Sequence, residues 1–169
     1  VALACATGIF MHDRHVEDQK NRANAQLAHY DTLTDTLSAS LYQTTAPRVF
    51  NLAQSQQKQL TMAVIDIDHF KQVNDHYGHL TGDELLSGVA KLMSETLAQY
   101  AGKHSLYRAG GEEFNILFEN LSDSLVEIIV TSIWQAVRTA QLKAGRFEIP
   151  ATFSVGVVKM LCGFSQPCT

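Results

Sequence analysis

The sequence predicts an α+β fold, a ferredoxin-like antiparallel or mixed sheet with helices packed on it, preceded by an N-terminal helix. Three observations carry this. Residues 60–67 form a near-continuous apolar run of strand length. Residues 83–100 and 124–143 repeat apolar positions at helical spacing. Between them, Gly110-Gly111 separates strand-like Ser105-Leu106-Tyr107 from residues 114–118, which reads as a hairpin because tight turns favour positive φ. The resulting order is strand, helix, hairpin, helix, strand.

Composition sets the bounds. The 169 residues are 46% hydrophobic and 18% charged, which fits one globular domain with an appendage. A net charge of −4 argues against a nucleic-acid partner, which needs a basic face. The three cysteines, Cys5, Cys162 and Cys168, have neither disulfide-framework nor zinc-site spacing, so a reducing compartment is expected. His76 and His79 read as a solvated pair rather than a chelate.

Residues 1–11 are almost all apolar, fewer than the roughly 20 a membrane span needs, and stop at His12-Asp13-Arg14-His15. They are read as the end of a transmembrane helix, with more chain expected before Val1. Residues 12–30 are read as a helical linker, with Val16, Ala23, Leu27 and Tyr30 on one seam of a seven-residue repeat. Residues 31–169 are the domain. Asp31-Thr32-Leu33-Thr34 is a capping-rich break. Pro47, with Thr45 ahead of it, is expected to open a helix that turns Val49, Phe50 and Leu52 inward.

The run 60–67 is expected as a central strand, covered on both faces, ending in Asp66-Ile67-Asp68. Carboxylates at the end of a buried strand are costly unless a cation accompanies them. The helix from residue 83 would hold Asp83 and Glu84 in its first turn and bury Leu85, Leu86, Val89, Leu92, Met93 and Leu97. The helix over 124–143 would bury Leu125, Ile128, Ile129, Ile133, Trp134, Val137 and Leu142, and Gly145 would end it. Residues 147–158 read as a strand interrupted at Pro150.

Taken alone, Gly110-Gly111-Glu112-Glu113 is an ordinary surface turn. Its adjacent carboxylates, like those of Asp66-Ile67-Asp68, are close enough to favour a cation. A calcium loop at Asp66-x-Asp68 is excluded, because Phe70 stands at the next ligand position and no glycine follows.

Four blocks, in order over residues 60–158, resemble the GGDEF domain of the diguanylate cyclase family: Asp66-Ile67-Asp68-His69-Phe70-Lys71-Gln72-Val73-Asn74-Asp75, Gly78-His79 with Gly82-Asp83, Gly110-Gly111-Glu112-Glu113-Phe114, and Phe153-Ser154-Val155-Gly156-Val157. The resemblance implies a nucleotidyl-cyclase-type sheet. It also implies a homodimer that condenses two GTP into cyclic di-GMP with release of pyrophosphate, and residues 12–30 would then be a signalling helix. By the same resemblance Asp66, the Ile67 carbonyl, Glu112 and Glu113 would hold Mg²⁺ or Mn²⁺. Glu112 and Glu113 would be the catalytic carboxylates. Asn74 and Asp83 would read guanine; Lys71, with the backbone around Phe70, would cradle the phosphates; His79 would contribute to substrate binding. The implied location is the bacterial inner membrane, tethered through the N-terminus, with the domain cytoplasmic.

The pattern also departs from the family. Its entry motif, Asp-x-Leu-Thr-Gly-Leu-x-Asn-Arg, keeps only Asp31-Thr32-Leu33-Thr34; Asp35 replaces the glycine and Ser38-Ala39 replace Asn-Arg. The product-inhibition motif Arg-x-x-Asp reads Ala101-Gly102-Lys103-His104, so feedback inhibition there is not expected. Residues 160–169 do not resemble the helix and strand with which the family's domain ends. These departures leave open a catalytically inactive domain that binds GTP or another protein.

Overall fold

A computed structural model of the chain describes residues 29–160. The expected membrane segment, nearly all of the linker, and the last nine residues lie outside them. In chain order the elements are α1 (Ala39–Ser55), β1 (Leu60–Ile67), α2 (Phe70–Tyr77), α3 (His79–Leu97), β2 (Lys103–Gly110), β3 (Glu113–Glu119), α4 (Asp123–Thr139), β4 (Leu142–Ala144), β5 (Phe147–Ile149) and β6 (Phe153–Met160).

The main sheet runs β2-β3-β1-β6 with antiparallel neighbours throughout. This is the expected split βαβ arrangement: β1 crosses over to β2, and β3 crosses over β1 to β6. Alternation along β1 sends Ala63, Ile65 and Ile67 to one face, where they are buried. The register adds Phe114, Ile116 and Phe118 to that face, and it packs under α3 and α4. α3 buries Leu85, Leu86, Val89, Ala90 and Met93, and α4 buries Val126, Ile129, Val130, Ile133 and Val137, both at helical spacing. The Ser122 side chain caps α4 by accepting from Leu125 N–H (3.3 Å).

The other face of the sheet carries Met62, Val64, Asn115, Leu117 and Tyr107, with α1 lying over part of it. There the Tyr42 hydroxyl donates to Met62 Sδ (3.0 Å), and the Tyr42 and Tyr107 rings meet edge-on at 5.3 Å.

Several elements differ from the sequence expectation. α1 begins at Ala39, where Ser38 caps it, so Pro47 lies in the helix interior and not in its first turn. Phe50 and Leu52 are exposed, and Ala53 is the residue that α1 buries. β1 is central, but Val64 and Asp66 are exposed, so its second face is only partly covered. α3 starts at His79, one turn earlier than expected, so Asp83 and Glu84 lie beyond its first turn. α4 ends at Thr139, and Leu142 belongs to a separate β4–β5 hairpin turning at Gly145 (φ +60°). A glycine at positive φ, followed by the β-favouring Phe147-Glu148-Ile149, overrides the apolar periodicity that had suggested a longer helix. Ile128 remains 53% exposed and is not part of the α4 core face.

Candidate active site

The site lies at the end of β1 farthest from Leu60. There the register places Asp66 directly opposite Glu113 on β3 and opposite Ser154 on β6. Like charges facing each other across a ladder repel, and neither carboxylate has a hydrogen bond or ion pair among the described residues. Such a pair fits a hard divalent cation. Mg²⁺ is commonly held by one or two carboxylates plus substrate phosphates, so no full protein cage is required. Among the described residues, no three His, Cys, Asp or Glu side chains form a preformed metal cluster.

The hairpin turn differs in detail from a Gly-Gly turn. Gly110 ends β2, after a register shift beyond Arg108, and the two linking residues are Gly111 and Glu112. Only Gly111 of the glycine pair takes positive φ (+44°). The carbonyl of Glu112 accepts from Ile67 N–H (3.4 Å), which ties the turn to β1.

Arg108 was not among the residues expected at the site, yet it braces the turn. Its Nε and Nη2 donate to the Gly111 carbonyl at 3.0 and 2.8 Å, and its Nη1 donates to Asp31 Oδ1 at 3.0 Å. A sequence signal was present: strand alternation puts Arg108 on the same face as Leu106, opposite Phe114, where a charge is out of pattern. Asp31 also accepts from Thr34 N–H (2.9 Å) and the Thr34 hydroxyl (2.8 Å). Burial pushes the Asp31 carboxyl upward, but the hydrogen bonds from Thr34 and Arg108 outweigh it and hold it below the usual carboxylate range. Asp35, standing where the entry motif has glycine, takes φ +55°, the left-handed region that glycine adopts most easily.

Asp68 is engaged differently from Asp66. Its carboxylate accepts from the Thr152 hydroxyl (2.8 Å) and the Ser154 hydroxyl (2.7 Å). The Ser154 bond, then the Thr152 bond, lowers its pKa. His69 follows at φ +59° and leads into α2, whose first turn contains Phe70 and Lys71. Their amides have no intrahelical acceptor at that position. Lys71 and His79 are exposed, whereas Phe70 is buried.

α2 and α3 meet closely at Gly82. A β-carbon there would collide with Asn74 Oδ1 and press on the Phe70 ring. Asn74 Oδ1 is buried without a partner. The next residue, Asp83, is half-buried on α3. An unpartnered amide oxygen in such a place is costly unless a ligand or water engages it.

The geometry therefore brings together two groups: Asp66 with Glu112 and Glu113 at the sheet end, and Phe70 with Asn74 and Gly82-Asp83 at the α2–α3 contact. A GGDEF model, described as the diguanylate cyclase GGDEF domain, matches residues 28–163. The chain belongs to the GGDEF family. Over 152 residues it is 33% identical to diguanylate cyclase VdcA of Vibrio cholerae, covering 86% of this chain and 43% of the relative. It is also 32% identical over 131 residues to cyclic di-GMP phosphodiesterase PdeR of Escherichia coli, covering 78% of this chain but 19% of the relative. This chain thus spans less than half the length of these curated relatives. Among solved structures it is similar to the coiled-coil and GGDEF domain of DgcB from Caulobacter crescentus in complex with c-di-GMP (TM-score 0.76, 26% identity, 89% of this chain and 81% of that one). The GGDEF signature here is Gly110–Phe114 with glutamate at its third position.

Proposed function

We propose that this GGDEF domain is a diguanylate cyclase that joins two GTP molecules into cyclic di-GMP. The observation that carries the reading is the facing pair Asp66 and Glu113, with Glu112 beside it and the unpartnered Asn74 Oδ1 at the α2–α3 contact. Asp66, the Ile67 carbonyl, Glu112 and Glu113 would hold Mg²⁺ or Mn²⁺, which when bound neutralises triphosphate charge. Lys71 and the amides of Phe70 and Lys71 would hold the β- and γ-phosphates, with His79 at the edge of the substrate site. Asn74 and Asp83 would read guanine, whose edge offers both acceptor and donor groups.

Phosphoryl transfer asks the protein mainly to position and to stabilise charge. In this reading the 3′-hydroxyl of one GTP faces the α-phosphorus of a second GTP held by a partner domain. Glu113 takes the hydroxyl proton, the new P–O bond forms, and the bond to the β-phosphate breaks to release pyrophosphate. The same exchange in the other direction closes the ring. Activity therefore requires a homodimer. We further propose that the N-terminal segment tethers the domain to the inner membrane, with the domain on the cytoplasmic side. Among the described residues, no helix is long and apolar enough to cross a membrane.

The test is product formation from GTP and Mg²⁺ by the purified dimer. Turnover is expected, and Glu113→Gln should reduce it at least about 100-fold, the scale of a lost general base. GTP binding without product in the wild type would instead favour a non-catalytic GTP-binding module. The altered entry motif at Asp35 and Ser38-Ala39 is the observation on that side.

A further inference from the structure

Two sequence blocks that lie far apart in the chain, Asp66-Ile67-Asp68 and Phe153-Ser154-Val155-Gly156-Val157, lie side by side in the β1–β6 ladder and are further joined through the Asp68 side chain. Asp68 makes three bonds to Thr152, just before β6, and to Ser154 within it. Its N–H donates to the Thr152 carbonyl (3.0 Å), and its two carboxylate oxygens each accept a hydroxyl, from Thr152 and Ser154. Both oxygens are thus engaged by Thr152 and Ser154, on the β6 side of β1. The residue that follows, His69, holds a left-handed backbone (φ +59°), a conformation that a non-glycine residue keeps only where its surroundings fix it. The next two residues are Phe70 and Lys71, which open α2.

We propose that Asp68, anchored by Thr152 and Ser154, is a positioning residue that sets the β1–α2 turn and thereby aims the first-turn amides of α2 at the substrate's terminal phosphates. The inference rests on the GTP reading above and adds the residues that hold its phosphate cradle in place. Charge-assisted hydrogen bonds of this length are stronger and more directional than neutral ones, which suits a clamp on a turn. In this reading Thr152 and Ser154 act through Asp68. Ser154 also lies opposite Asp66 in the ladder, so one short stretch of β6 supports both the carboxylate end and the phosphate end of the site.

The experiment compares Asp68→Ala, Asp68→Asn and Ser154→Ala with the wild type. Equilibrium binding is measured with GMP, with GDP and with a non-hydrolysable GTP analogue, each in Mg²⁺. Hydrogen exchange of the His69–Lys71 amides is followed in the nucleotide-free proteins. Asp68→Ala should weaken the GTP analogue at least tenfold, leave GMP within twofold, and speed exchange of those amides. Ser154→Ala should show the same pattern, smaller. Asp68→Asn, which keeps one acceptor oxygen, should recover part of the loss. Equal loss of GMP and GTP analogue would show a merely structural role and overturn the proposal. Wild-type affinity and wild-type exchange in both alanine variants would overturn it as well. A wild type that binds none of the three nucleotides overturns the underlying GTP reading itself, and is told apart from failure of the clamp by that control.

Discussion

On one face of the main sheet, Ala63, Ile65, Phe114, Ile116 and Phe118 are fully withdrawn from solvent beneath α3 and α4. On the other face Val64 and Val158 keep 39% and 58% of their exposure, and Phe50 on the overlying α1 keeps 44%. There Tyr42, Ala46, Phe50, Met62, Leu117 and Val158 line an open apolar groove of about 540 Å³. The candidate site straddles these two regimes. Asp66 and Glu113 share the parity of the open face, whereas Phe70, Asn74 and Gly82 belong to the helical layer on the closed one. Over β1 and β3 the closed face leaves little slack, so its side chains fix where the helices stand; along β6 the same face stays open, with Val155 and Val157 37% and 51% exposed. The open face tolerates change, and what fixes the carboxylates there is the ladder and the Arg108 brace more than packing.

The largest expected effect follows from the closed face. Phe114→Ala removes a ring with no solvent exposure, and large cavities of this kind cost about 3–5 kcal/mol. Against a typical total of about 5–15 kcal/mol, that variant should be marginal at 25 °C. Its urea midpoint should fall steeply with little change in slope. A loss under about 1 kcal/mol would mean that the closed face is not the dense core described above.

Gly82→Ala tests whether the same density reaches the site. In an exposed helix the change would stabilise by about 1 kcal/mol. Here the new methyl meets Asn74 Oδ1 and the Phe70 ring, and overpacking of that kind typically costs about 1–3 kcal/mol. The expected net result is a less stable protein whose GTP affinity falls at least about tenfold, measured by titration calorimetry; a tenfold loss is about 1.4 kcal/mol. A stabilised variant with full GTP affinity would sever the α2–α3 contact from recognition.

The sequence made the closed face legible and much of the open one obscure. Helical spacing in α3 and α4 and the apolar run of β1 are local patterns, and the structure keeps them. The facing of Asp66 and Glu113 could be suspected from the motifs, but only the register pairs them. α1 was misread because Ser38 is a better cap than Thr45, and an interior proline does not stop this helix. The Arg108–Asp31 pair and the Asp68 clamp join residues far apart in the chain, which periodicity cannot reveal. Asp35 at positive φ shows why its position suits glycine, something visible only in the backbone.

The Arg108 brace gives a smaller, pH-dependent effect. The folded-state pKa of Asp31 lies below its unfolded value. Its contribution to stability is therefore fully present above the unfolded pKa and is lost as pH falls through the folded pKa. Asp31→Asn should cost about 1 kcal/mol at pH 7, within the range for a hydrogen bond to a charged group that is partly exposed. The gap from wild type should close progressively below about pH 4, near the unfolded carboxylate pKa. Denaturation midpoints of both proteins across that window measure it. A gap that stays constant to pH 2 would assign the cost to the altered turn at Asp31–Thr36 and not to the ion pair with Arg108.

The smallest effect belongs to the open face, and it decides how open that face is in solution. Val158→Thr keeps shape and strand propensity but exchanges a methyl for a hydroxyl beside Met62. Buried under packed neighbours, that hydroxyl would lack a partner and cost about 1–3 kcal/mol. With more than half of Val158 already in water, the hydroxyl stays solvated, and the cost should remain within about 0.5 kcal/mol. A measured loss near 1.5 kcal/mol at this position would therefore mean that the groove between α1 and β6 is covered in the native protein, and the contrast between the two faces would narrow accordingly.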